Sequence, residues 1–198
     1  RISRMLEILL AFVMVFTGVG IGQLGPEEAW AAEETETEIA SVVNAIATDY
    51  ANNISKNSYW QVMELAALNR ELDITGDAKS EFVNNAIADG ETNASATNLA
   101  KYAISLSALG IDVSKLPASN GGTYNLIDRI ATSKVSMVNA AVFALQAYDS
   151  NGYSPTKGED REALISTILN NQLEDGGWAF SGTSGDPDMT GMAICALA

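Results

Sequence analysis

The sequence predicts an all-α fold assembled from helix pairs, and three observations carry that expectation. Apolar residues recur at three- and four-residue intervals through several segments, the spacing that places them on one face of an α-helix. No run of alternating apolar and polar residues bounded by hairpin turns is sustained, as half-buried strands would require. Small-residue helices ending in Ala-Leu recur, at Ala67-Leu68, Ala108-Leu109, Ala144-Leu145 and Ala196-Leu197. The leucines follow one another at 41, 36 and 52 residues. Such spacings fit helix pairs, which cannot bury their apolar faces alone and must stack on a neighbour. Alanine side chains let helix axes approach closely, as an inner row covered by outer helices needs. An open solenoid has a similar period, so repetition alone leaves ring and superhelix open.

The elements follow in order. Residues 1–31 read as a signal peptide. Arg1 and Arg4 precede an apolar stretch at 8–22, and Ala29-Trp30-Ala31 supplies a small-residue cleavage site. The expected location is therefore secreted or cell-surface, with membrane contact only through this segment. The stretch is short of the roughly 20 apolar residues of a membrane span, although a retained anchor or a core helix is an alternative reading. Residues 32–57 read as an acidic leader, at 32–38, and a first helix carrying Ile39, Val42, Val43, Ile46, Ala47 and Tyr50 and ended by Asn52 and Asn53. Further helices are expected over 59–72, 80–88 (stopped by Asp89-Gly90), 96–109, 126–131, from Ser136 or a neighbour to 148, and 160–171. Gly110 suits a left-handed position just past its helix. Residues 117–123 and 149–155 read as loops, and 176–186 as a glycine-rich connector. The last run, 189–198, is apolar and has no closing cap. Together with the initial arginine, it leads to the expectation of a fragment.

Composition restricts the chemistry. The chain has 25 acidic and 11 basic residues, a net charge of -14, which repels phosphate backbones and argues against nucleic acid as a partner. It has no histidine and one cysteine, Cys195. That excludes an internal disulfide, a cysteine zinc cluster, and Ser-His or Cys-His nucleophiles among these residues. No metal and no cofactor is expected, and any chemistry falls to carboxylates. Asp149, Asn151 and Gly152 are laid out unlike an EF-hand, because the glycine comes fourth instead of sixth.

Residues 172–178, Gln-Leu-Glu-Asp-Gly-Gly-Trp, form a Q-x-x-x-G-x-W string between two expected helices. It resembles the QW motif of squalene-hopene cyclases and the related prenyltransferase/squalene-oxidase repeats, the terpenoid cyclase α/α-toroid family. The segments at 103–110 and 139–149 are also similar to this repeat family, closest to its secreted bacterial members. The resemblance covers residues 58–198 and implies a partial α/α-toroid domain, with three or four of the family's six helix pairs. It implies a structural role for Gln172, Gly176 and Trp178: the glutamine bonds at the start of the adjoining helix and the indole packs over it. Asp186-Pro187-Asp188-Met189-Thr190 resembles the D-x-D-D-T acid motif of class II cyclases, which would make Asp188, with Asp186, the catalytic candidates. Met189 replaces an aspartate of that motif and removes one member of its polar network. The structural alternative is that Asp186 or Asp188 caps the helix beginning near Met189, an arrangement worth about 0.5–2 kcal/mol. The run from Asp188 to Ala193 is also similar to helix starts in cobalamin carriers with the same ring. The leading expectation is an exported toroid domain that binds a small hydrophobic or cobalamin-like molecule, or a protein. A cyclase-like isomerase using Asp188 and a structural repeat module of a larger surface protein are the alternatives.

Overall fold

A computed structural model describes residues 26–92, 94–118 and 120–198. The apolar stretch read as an export signal lies outside the described residues. The protein is all-α: α1 (Pro26–Asn52), α2 (Tyr59–Ala67), α3 (Gly76–Glu91), α4 (Ala96–Ala108), α5 (Leu126–Ala131), α6 (Val138–Asp149), α7 (Arg161–Asn170) and α8 (Pro187–Leu197). No helix among the described residues is long and apolar enough to cross a membrane.

Several boundaries differ from the sequence expectation, each for a local reason. Among the described residues α1 spans Pro26–Asn52, so the acidic stretch at 32–38 lies within a helix. Helix α2 stops at Ala67 because Asn69 turns left-handed, at φ 55°. The N–H groups of Asn69 and Arg70 donate back to the Ala66 and Leu65 carbonyls, satisfying groups the helix end leaves open. Gly110, at φ 76°, closes α4 in the same way, with Ile111 donating to Leu106. Helix α3 runs through Asp89-Gly90, which is not a stop. A Cβ on Gly90 would fall 2.0 Å from the Tyr124 hydroxyl, so this glycine makes room for a packed ring. Met137, the neighbour of Ser136, occupies the N-cap of α6, within the sequence expectation. The loop after α4 also holds a two-residue antiparallel ladder, β1 (Leu116–Pro117) with β2 (Thr123–Tyr124).

Helices α2, α4, α6 and α8 contact one another in succession. Against this row pack α1 on α2, α3 on α4, α5 on both α4 and α6, and α7 on α6. Each Ala-Leu pair lies in or at the end of a helix of the row. Helices α4 and α6 pack together, and Ala100 and Ala103 on one and Ala141 and Ala144 on the other are completely buried. Ser105 and Tyr102 bring polar groups into this core, each with a partner. Ser105 Oγ donates to the Tyr59 carbonyl at 3.0 Å, and Tyr102 Oη to the Lys56 carbonyl at 2.7 Å. Burial pushes the pKa of the Tyr102 and Tyr148 hydroxyls well above the ordinary tyrosine value, so both stay protonated donors.

Candidate functional site

Two regions hold polar groups that could matter for function: the loop from Gln172 to Thr190, and a cleft beside it. The loop is closed by backbone bonds between Leu173 and both Gly176 and Gly177. Gln172 Nε2 donates to the Gly176 carbonyl at 2.8 Å, so this side chain braces its own turn and does not reach the N-terminus of α8. Gly176 supplies the left-handed corner at φ 84°. Trp178 is buried, with its indole N–H donating to the Ile168 carbonyl at 2.8 Å in the last turn of α7. Its backbone N–H donates to Thr190 Oγ1 at 3.0 Å, and that hydroxyl donates back to the Trp178 carbonyl. The tryptophan thus ties the end of α7 to the first turn of α8.

Asp175 and Thr190 are the residues that sequence reasoning misses here. One Asp175 oxygen accepts from Gly177 N, the other from Gly185 N at 2.8 Å and from Ser184 Oγ. These bonds, the Gly185 amide first, hold the carboxyl below the ordinary aspartate value. A folded-state value below the unfolded one means that the stabilisation is complete above the ordinary value. It is lost as pH falls through the depressed one. The Gly185 amide resonance should therefore titrate with a midpoint below that of a free aspartate. A midpoint at or above the free value would refute the brace.

Asp186 caps α8: its carboxylate accepts from Met189 N at 2.7 Å and from Phe180 N, and Pro187 follows at the first helical position. Asp188 lies in the exposed first turn of the same helix. The structure therefore assigns a structural part to Asp186. It leaves Asp188 in solvent, where nothing described desolvates the carboxyl as protonation of a carbon would need. Cys195 is exposed. No group of acidic, cysteine or histidine side chains among the described residues could hold a metal ion.

The cleft, of about 660 Å³, opens at the N-terminal ends of α4 and α6. Ser95 and Asn98 line it from α4, Met137 and Asn139 from α6, and Phe180 from the loop before α8. Arg129 and Lys134 supply two cationic side chains, and among the described residues no aspartate or glutamate lines it. The Arg129 guanidinium is anchored to the Gly90 carbonyl and to Ser133 Oγ, each at 2.7 Å. Ser95 caps α4 by accepting from Asn98 N, whereas Met137 offers α6 no side-chain cap. Asn139 Oδ1 is buried without a hydrogen-bond partner among the described residues. Local sequence chemistry gives little warning of this site, because its walls come from three separate stretches of chain. The one readable signal is a helix start without a capping side chain. Compared with family models, with curated proteins and with solved structures, the chain shows no match.

Proposed function

We propose that this chain is an exported or cell-surface domain of stacked helix pairs, of the α/α-toroid kind, that binds a small molecule in the cleft at the N-termini of α4 and α6. The observation that carries the reading is the make-up of that cleft. In a chain with 25 acidic residues, the described residues of its wall supply two cations, several hydroxyls and amides, and no carboxylate. A concave site with a few convergent polar groups on rigid helices is the form that ligand seats take. The toroid reading is supported by the row α2, α4, α6, α8 with outer helices packed on it, and by the Gln172–Trp178 string. The export reading rests on residues 1–31.

A class II cyclase would need Asp188 to be a desolvated acid, and its exposure favours binding over that chemistry. Two measurements test the proposal. A fragment library screened by amide chemical shifts should give hits clustered on residues 95–98 and 136–140. Ser136→Trp, which fills the exposed rim, should abolish them. Hits scattered over the surface, or unaffected by the tryptophan, would refute a ligand seat here. Incubation with squalene should yield no cyclic product, and a product lost on Asp188→Asn would instead establish the enzyme.

A further inference from the structure

Along α4 and α6 the cleft is followed by side chains that do not line it. Thr97 and Asn139 line it, and one turn further along the same helices come Lys101 on α4 and the buried Phe143 on α6. Four residues of helix rise about 6 Å, the distance that separates these groups from the cleft along the helix axes. Lys101 Nζ lies 5.1 Å from the centre of the Phe143 ring and 5.8 Å from that of Trp60. The two rings meet nearly edge-on at 6.2 Å. Trp60 is 51% exposed, which leaves much of its indole open to whatever lies along the inner helices.

Charge narrows the choice of occupant. Lys134, Arg129 and Lys101 gather three cations in and beside a cleft wall that has no carboxylate among the described residues. The uncapped start of α6 adds the positive end of a helix dipole to the same side. The chain as a whole carries -14, and its long-range field repels a multiply charged anion more than a singly charged one. Short-range attraction to Lys134 survives this field for a single negative charge.

We infer that the cleft takes a singly charged organic carboxylate with a flat apolar body. The carboxylate meets Lys134 and the first-turn amides of α6, and the body extends past Asn139 toward the exposed Trp60 indole. This rests on reading the cleft as a ligand seat, and it names the class of ligand.

The test titrates the full 198-residue chain, isotope-labelled, with naphthoate and with the uncharged naphthalenemethanol, which has the same ring system. Naphthoate should bind on the order of tenfold more tightly than the alcohol, the gain expected of one charge-assisted contact. It should shift the Asn139 and Ala140 amides and the Trp60 indole N–H. Lys134→Gln should weaken naphthoate several-fold and leave the alcohol unchanged, and Trp60→Ala should weaken both. Lys134 and Trp60 are exposed, so both variants should keep the parent melting temperature. Equal affinity for the two compounds, or naphthoate binding indifferent to Lys134→Gln, overturns the inference, although alcohol seated in the cleft would leave the broader binding reading standing. Failure of both compounds to perturb the cleft also overturns it, and the fragment screen then decides the broader reading separately.

Discussion

Trp178→Ala should cost about 3–5 kcal/mol of folding stability, the range for removing a large buried aromatic side chain. The indole is 5% exposed and sits where the end of α7, the loop and the first turn of α8 meet. Its removal leaves a cavity that a backbone tied at Gly177, Gly185 and Thr190 cannot collapse to fill. A Cβ built on Gly185 lies only 2.8 Å from the Gly177 Cα, so the two strands of the loop are already in contact. Trp178→Phe separates packing from hydrogen bonding. It keeps most of the ring and loses the bond to the Ile168 carbonyl, a net effect of about 0.5–1.5 kcal/mol. Urea unfolding at unchanged m-value reads both. A loss below about half a kcal/mol for Trp178→Ala would mean that the ring does not join the helices.

Gly158→Ala is the second large effect, and its cause is the backbone. Gly158 adopts φ 86°, and a Cβ there would fall 2.3 Å from the Ala131 carbonyl oxygen and 2.9 Å from Thr132 N. These are main-chain atoms at the end of α5, so no rotamer change relieves the clash. The left-handed conformation costs a non-glycine residue roughly 1–2 kcal/mol, and overpacking typically adds about 1–3 kcal/mol. The adjoining bond from Glu159 N to the Ala131 carbonyl, 2.9 Å long, would stretch or break. Tyr148 Oη, bonded to the Glu159 carbonyl, would follow. The expected loss is about 2–5 kcal/mol in total. Gly176→Ala is the control: it has φ 84° but open space around the missing Cβ, so it should lose only the conformational part. Equal losses for the two alanines would show that the contact with α5 is not the cause.

Both effects belong to connections between helices, the part of the fold least readable from local pattern. The helices themselves are legible. The spacing of Leu99, Ala103 and Leu106 marks the buried face of α4, and Gly110 marks its end. The Asp-Pro pair before an apolar run marks the cap of α8. Asn69 is a harder case, because asparagine is acceptable inside a helix and only the packing of the next turn decides that it leaves one. Gly90 is harder still. It looks like a helix stop, and the reason it is glycine lies in Tyr124, 34 residues away. Gln172 shows the limit of motif reasoning. The string indicates a turn and a packed ring, but which carbonyl the amide reaches depends on how the loop closes.

What the sequence alone determines about this protein is its class and its exclusions: helices with one apolar face, alanine where helices crowd, an acidic surface, and no histidine chemistry. Those follow from residue type and from short-range spacing, which the chain carries whatever its final arrangement. The tertiary structure decides which helix starts share a cleft. It brings Ser95, Arg129, Lys134, Asn139 and Phe180 together around one space, and it sets Lys101 against Trp60 and Phe143. No local rule contains that grouping, because it is fixed by how closely the alanine-lined faces of α4 and α6 let two helix axes approach.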